Sequence, residues 1–333
     1  MSDARIRLLS LDDVRAASPS PSQVLQHIRQ AYAHDGNGHV DVPLKIGIRP
    51  DRPDSFLDAM PAWVGADCRA LGMKWVSYYP DNRGQGKADS SGLIVLNHPE
   101  HGHPVCIMEG MLVTFMRTAA CAAVMAKPFI RKPPRRLGLV GCGGLGRWAL
   151  RMFGMAFPTL DTVYVSSLSS ASRERFCHEM SREGDWTLIP VAEPSQAVQP
   201  ADIVISSVPP SSAPPIAPGW LGQDSIFVPL DLLNSWQPEV LSEAGLLVAD
   251  APAFFAKLLQ AHRPGLAPPR RMLRFQDVSA AEPHHAGPTM IAVCGIASTD
   301  VVLGWEIYRR ACEAGLGELF DMKASDADMI RAA

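Results

Sequence analysis

Residues 137 to 153 read LGLVGCGGLGRWALRMF, and their glycines are spaced to hold a pyrophosphate. Leu137 to Val140 have the apolar character of a buried strand, and Gly141, Gly143 and Gly146 follow at once. Behind them Trp148, Ala149, Met152 and Phe153 recur at helical spacing. In a strand–turn–helix context each glycine has its own task. The first makes the turn, the second lets a pyrophosphate approach the backbone, and the third lets helix pack against strand. The free amides at the helix start, around Gly144 and Leu145, then face the phosphates. A glycine-rich corner that binds nothing has the same letters, but the surrounding pattern favours a dinucleotide site.

A second set of residues stands out because charge sits in apolar surroundings. Lys74 lies in GMKWVS, and Arg117 lies among Phe115, Met116, Ala119 and Ala120. Burying either without a partner is expensive. The planar fork of an arginine suits a carboxylate held by two bonds. Asp58, flanked by Phe56, Leu57 and Ala59, is an acid whose pKa apolar neighbours would raise, fitting it to move protons. Asp231, in SIFVPLDLLNSW, stands at the carboxyl end of a strand, where α/β sheets bind ligands. The plain alternatives are a snorkelling strand-edge lysine, a structural ion pair for Arg117 and a solvent-facing aspartate at 58.

The cofactor type has its own signal. NAD-binding units place an acid at the end of the second strand to hold the ribose hydroxyls. Here TVYVSSLSSASRER puts Ser166 and Ser167 there, with Arg173 and Arg175 following. Serines and an arginine accommodate a 2′-phosphate that an acid would repel, so NADP(H) is favoured over NAD(H). Arg173 on an exposed helix face is the competing reading. The adjacent pair His284 and His285 has no accompanying carboxylates and reads as a loop pair rather than a metal site.

These residues need elements to position them. SPSQVLQHIRQAY predicts a helix over 20–34 opened by a Ser/Pro cap. VPLKIGI, SFLDAMPAWV, ALGMKWVSYY and GLIVLNH read as strands between turn-rich pieces. A long helical pattern runs from Met108 until RKPPRR breaks it, which sets a domain boundary near 131. Beyond it LGLV, TVYVSS, WTLIPV, DIVISSV, SIFVPLD and LLVAD alternate with helical segments, the signature of a doubly wound parallel sheet. The proline-rich stretch 262–288 reads as loop or short helix, TMIAVCG as a last strand, and Ser298, Thr299 and Asp300 as the cap of a final helix. The expected domains are 1–130, joined by a C-terminal helix over 300–333, and 131–299.

Composition bounds the rest. The 333 residues exceed the usual single-domain size. A hydrophobic content of 47% with 20% charged residues describes a globular protein, and a net charge of −3 gives nucleic acid no electrostatic footing. No apolar run reads as a transmembrane span, and MSDARIRLLSLDDV does not read as a signal peptide. Seven scattered cysteines without a C-x-x-C fit reduced thiols, and the expected location is the cytoplasm.

The order GMKWVSYYPDN, SSGLIVLNHPEHGHPVCIMEG, MRTAACAAVMAK and GCGGLG resembles the ornithine cyclodeaminase/mu-crystallin family from about residue 40 to 165, returning more weakly at IAVCGIASTD. The phrasing resembles most the branch that makes 2,3-diaminopropionate. The resemblance implies an α/β protein, with a Rossmann-type doubly wound sheet and an α+β substrate and dimerisation domain, assembled as a homodimer. It implies nicotinamide-dependent chemistry at the Cα–N bond of an amino acid or imine. In the cyclodeaminases a hydride leaves Cα, an amine attacks, ammonia departs and the hydride returns.

The family's active-site lysine matches Lys74, and its carboxylate-binding arginine matches Arg117. Thr118, in the same run, joins the cofactor-binding set. Lys45 falls where cyclodeaminases carry a further basic residue, usually arginine, which weakens the case for ornithine. Asp58 matches a catalytic glutamate position, and Asp231 is the nearest acid to the family's other proton-transfer group. The Asp-x-Pro-Gly-Lys style motif is absent after SIFVP, and Glu-Leu-Gly and Pro-Gly-Arg are absent near 263–288. The leading expectation is an NAD(P)-dependent amino-acid dehydrogenase that splits an N-substituted amino acid. A ketimine or opine-type imine reductase, a true cyclodeaminase and an NADPH-dependent small-ligand binding protein like mu-crystallin are the alternatives.

Overall fold

A computed structural model describes residues 5–209, 213–262, 266, 269, 271–278 and 285–321. The chain begins β1 (Arg5–Leu9), α1 (Leu11–Ala17), α2 (Pro21–Gly36), β2 (Val40–Asp41), β3 (Ile46–Ile48), β4 (Phe56–Val64) and β5 (Ala70–Tyr78). It continues through β6 (Ser90–Asn97), β7 (Pro104–Glu109), α3 (Met111–Ala126), β8 (Arg136–Val140), α4 (Gly144–Ala156), β9 (Thr162–Ser166), α5 (Ser170–Met180) and β10 (Thr187–Val191). Then come α6 (Pro194–Val198), β11 (Ile203–Ser206), β12 (Ile226–Pro229), β13 (Leu246–Ala249), α7 (Pro252–His262), β14 (Met272–Arg274), β15 (Thr289–Ala292), α8 (Ala297–Ala314) and β16 (Glu318–Asp321).

The chain divides into two compact units, 1–117 with 296–333, and 118–295. The division falls inside α3 and not at the RKPPRR break, because that helix runs on from one unit's residues into the other's.

In the first unit a mixed eight-stranded sheet has the order β16-β1-β7-β6-β5-β4-β2, with β3 also paired to β4. Residues alternate between its faces along β4 and β5. Met60, Lys74, Ile94 and Met108 meet in register across β4 to β7, and all four are buried. α8 packs on β4, β5 and β6 beside α1 and α2. Gly304 of α8 lies so close to the sheet that an added Cβ would stand 3.3 Å from Ile94 Cγ2. The predicted Ser/Pro cap of α2 is present: Ser20 and Gln23 form a capping box with Pro21 in the first turn.

The second unit is a parallel sheet, β10-β9-β8-β11-β12-β15-β13-β14. The strand order reverses between β8 and β11, the switch point beside which such sheets bind nucleotides.

Several expectations need correcting. VPLKIGI yields only the short β3, and β2 ends just before it. α1, β1, β7, β14 and β16 went unread because each is short or lacks a clean period. The final helix ends at Ala314, where Gly315 takes a left-handed φ of 67°, and β16 follows. Residues 322–333 lie outside the described residues, as do 263–265, 267, 268, 270 and 279–284 of the proline-rich stretch, His284 among them. Contrary to the reading of the apolar runs, the helical stretch Met111–Phe129 is long and apolar enough by composition to cross a membrane. Two thirds of it is buried within the fold, and it carries a paired arginine, so it reads as a core helix.

Candidate active site

β5 turns Lys74 toward the face that α8 covers, leaving it 1% exposed. Its Nζ donates to Oδ1 of Asp300, at 2.8 Å. Arg117, 6% exposed on α3, donates from Nε to the same Oδ1, also at 2.8 Å. Asp300 itself is fully buried. Two cations therefore converge on one oxygen of one carboxylate, while Asp300 Oδ2 has no hydrogen-bond partner among the described residues.

The arrangement sets unusual charges. Burial, reinforced by the positive Arg117, pulls the Lys74 ammonium from an ordinary 10.5 down to about 7, against the opposing pull of Asp300; Lys45 adds to the lowering. Burial pushes the Asp300 carboxyl up, but the charges and hydrogen bonds of Arg117 and Lys74 together outweigh it and hold the carboxyl below its usual value. The cluster is thus two buried cations sharing one carboxylate oxygen, with the lysine's ordinary value brought to about 7.

Asp300 is the residue that sequence reading missed. The Ser-Thr-Asp string reads as a helix cap, yet the helix starts at Ala297 after Ile296, with no side-chain cap, and Asp300 lies buried in its first turn. The available signal was an acid immediately followed by the apolar run VVL in GIASTDVVLG, akin to the argument that singled out Lys74 and Arg117.

Asp58 is buried on the same sheet unit but does not stand alone among apolar neighbours. Its Oδ1 accepts from Arg49 Nη1 at 2.8 Å, and Arg49 lies over the Phe56 ring.

In the second unit the glycine turn has the geometry its spacing predicts. Gly141 has φ +104°, and a Cβ there would sit 2.6 Å from Ser207 O. A Cβ on Gly146 would sit 2.4 Å from Gly141 O, whereas one on Gly143 meets nothing within 4 Å. The first and third glycines are thus demanded by packing, and the second leaves open the approach that a pyrophosphate needs. Gly144 and Leu145 begin α4 with Gly143 as its N-cap. Arg147 ties the turn to α5 by bonding the Cys142 carbonyl and Glu179. These residues fit a dinucleotide.

At the end of β9, Ser166 is buried and Ser167 half-buried, and Arg173 is pinned to the Ser167 carbonyl. No acid occupies 166–169. Thr118, half-buried on α3, belongs to this unit. Asp231, just past β12, accepts from Ser235 Oγ at 2.5 Å, Ser206 Oγ at 3.0 Å and Val208 N at 3.3 Å. Trp236 Nε1 donates to Ser206 Oγ at 2.7 Å and extends the network. Burial lifts the Asp231 carboxyl above its ordinary value although these bonds pull it down. Leu232 and Leu233, next in the chain, both adopt left-handed φ, of 54° and 71°. Asp250, another acid not read from the sequence, accepts from the amides of Cys294 and Gly295.

His285 pairs with Thr289, and no group of three or more metal-ligating side chains occurs among the described residues. All seven cysteines are free.

The model of the ornithine cyclodeaminase/mu-crystallin family matches residues 7–226. The chain is 30% identical over 321 residues to the nodulation efficiency protein NfeD of Rhizobium meliloti, covering 95% of this chain and 98% of that one. It is 28% identical over 252 residues to N-((2S)-2-amino-2-carboxyethyl)-L-glutamate dehydrogenase of Staphylococcus aureus, covering 73% and 74%. The fold is that of the Thermococcus litoralis Delta(1)-pyrroline-2-carboxylate reductase, solved with NADH and L-proline. The TM-score is 0.82 at 23% identity, over 94% of this chain and 99% of that one.

Proposed function

The chain belongs to the ornithine cyclodeaminase/mu-crystallin family, and from that premise we propose that its two sites serve one reaction, hydride exchange at the Cα–N bond of an amino acid or imine. It is an NAD(P)-dependent oxidoreductase. One observation carries the substrate side: Lys74 and Arg117 converge, buried, on one oxygen of Asp300. A pair of fixed cations in a low-dielectric place captures a carboxylate.

A bound nicotinamide cofactor supplies or accepts the hydride. With the hydride that the cofactor would supply, an imine and a proton would give the amine. Arg117 orients the α-carboxylate so that Cα is held for transfer. Lys74, whose ammonium titrates near pH 7, gives a proton to the substrate nitrogen as the ammonium in the reducing direction and takes one as the neutral amine in the oxidising direction. Asp300 holds both groups. Asp58 and Asp231 already have firm partners, Arg49 for one and three donors for the other. The proton-transfer role goes to Lys74 first, because burial brings its ammonium to about 7, and to Asp231 second, because burial lifts its carboxyl.

Among finer readings, oxidative cleavage of an N-substituted amino acid of the diaminopropionate type draws support from the Staphylococcus relative. NADP(H) is favoured by Ser167 and Arg173 in the absence of an acid. We also assign a homodimer. On the outer face of the first unit's sheet Ile46, Ala59, Trp75 and Leu93 stand in register across four strands. Ile46, Trp75 and Leu93 are 69%, 39% and 46% exposed, an apolar row suited to a second copy. Free thiols agree with a cytoplasmic setting.

The test is a fluorescence titration with NADPH and NADH, followed by a screen of amino acids and 2-oxo acid/amine mixtures at the nicotinamide absorbance band. Turnover of an imine mixture or of an N-substituted amino acid supports the reading. Cofactor binding with no turnover of any member of either set moves the protein to the small-ligand binding class.

A further inference from the structure

Asp58 and Lys74 share the inner face of the first unit's sheet. Asp58 pairs with Val76 and Met60 with Lys74, so Asp58 and Lys74 are diagonal neighbours, about 7–8 Å apart by strand geometry. Gly47 lies directly opposite Asp58 on β3. A Cβ at Gly47 would stand 2.4 Å from Asp58 Oδ1 and 2.5 Å from Arg49 Nη1. Only a glycine there leaves room for the Arg49–Asp58 pair. Phe56 underlies the same guanidinium, 5.3 Å from ring centre to Cζ.

Three residues thus converge to fix one arginine whose side chain is 62% exposed. An ion pair whose arginine is this exposed adds little stability by itself. Stability alone does not account for a buried aspartate, a required glycine and an aromatic support. What the arrangement does is orientation. Nη1 is held by Asp58 and by the Ile48 carbonyl, and Nε and Nη2 take no other partner among the described residues. A guanidinium edge is left presented in one direction with its ordering already accomplished, which favours a planar anion.

We propose that Arg49 is a specificity-determining residue that binds a second carboxylate of the substrate, so that the site takes a dicarboxylic amino acid or its imine. The assignment rests on the reading of Lys74 and Arg117 as the clamp for the α-carboxylate. Arg49, one diagonal step and a side chain further along the same face, receives the distal acid. Asp58 is then a positioning residue for Arg49. A substrate with a cationic side chain, such as ornithine, is disfavoured by the same guanidinium.

The experiment compares kcat/KM of the cofactor-loaded enzyme on matched probes. The diacid probes are oxaloacetate or 2-oxoglutarate with ammonia, and the monoacid probes are pyruvate or 2-oxobutyrate with ammonia. As a measurement free of turnover, L-glutamate and L-glutamine are compared for their effect on the fluorescence of bound NAD(P)H. The wild type is expected to favour the diacid at least tenfold. Arg49→Met is expected to lower kcat/KM on the diacid at least tenfold more than on the monoacid, and Arg49→Lys to recover part of that difference. Asp58→Asn is expected to shrink the same ratio. Because Arg49 is exposed, its variants are expected to fold, and a melting curve checks this. Equal use of diacid and monoacid by the wild type, or an equal loss on both in Arg49→Met, overturns the dicarboxylate assignment and leaves the oxidoreductase reading intact. If neither class reacts and neither amino acid perturbs the bound cofactor, both readings fall.

Discussion

Lys74 and Asp300 lie 226 residues apart in sequence and meet at 2.8 Å with essentially no exposure on either side. Neither is tolerable there alone. A buried cation without its counter-ion is among the most destabilising features a fold can carry.

Removing the anion should therefore be felt by the whole first unit. Asp300→Asn leaves Lys74 and Arg117 without their shared carboxylate and is expected to destabilise by about 3–5 kcal/mol. Denaturant unfolding of wild type and variant measures it. A loss under 1 kcal/mol would show that the cluster is not held as described.

The Lys74 ammonium, at about 7 in the folded protein against 10.5 ordinarily, makes a signed prediction. Between those values the unfolded chain carries more protons at this site than the native one, so stability rises with pH. The contribution is fully present above about 10.5 and is lost as pH falls through 7. Unfolding midpoints of wild type and Lys74→Met, compared from pH 6.5 to 10, should diverge in favour of wild type as pH increases. Parallel curves would contradict the depressed value.

Glycine substitutions separate packing from binding in the cofactor turn. Gly146→Ala drives a methyl into the Gly141 carbonyl and is expected to weaken both stability and NAD(P)H affinity. Gly143→Ala meets open space, so the fold should keep its melting temperature within a few degrees. Its cofactor affinity should nevertheless fall at least tenfold, because the methyl takes the room of the pyrophosphate. Fluorescence titration beside a melting curve reads both.

Cofactor choice is tested at Ser167 and Arg173. Arg173→Ala should weaken NADPH binding several-fold more than NADH binding, and Ser167→Asp should reverse the preference. An equal effect on both cofactors would assign Arg173 to the Ser167 carbonyl alone.

Much of this was legible from local signals. The glycine turn declared itself because strand, turn and helix are contiguous, and Gly141 and Gly146 are tightly packed while Gly143 faces open space. Lys74 and Arg117 stood out because charge in an apolar run demands a partner. The partner was not legible. Asp300 reaches them from an element near the far end of the chain, and a Ser-Thr-Asp string imitates a helix cap in any local reading. Asp58 illustrates the opposite error, since its partner Arg49 sits in a loop whose prolines and aspartates read only as a turn.

The first unit is discontinuous, with the second inserted between Arg117 and Ile296. On the ribosome this becomes a matter of time. Arg117 emerges 183 residues ahead of Asp300, roughly 10–35 s at ordinary elongation rates. For that interval, while residues 118–295 are being added, the nascent chain holds two cations that no carboxylate yet neutralises. The substrate clamp thus closes only after the whole of the cofactor unit has been made, and a chain ending short of residue 300 cannot assemble the Lys74–Arg117–Asp300 cluster.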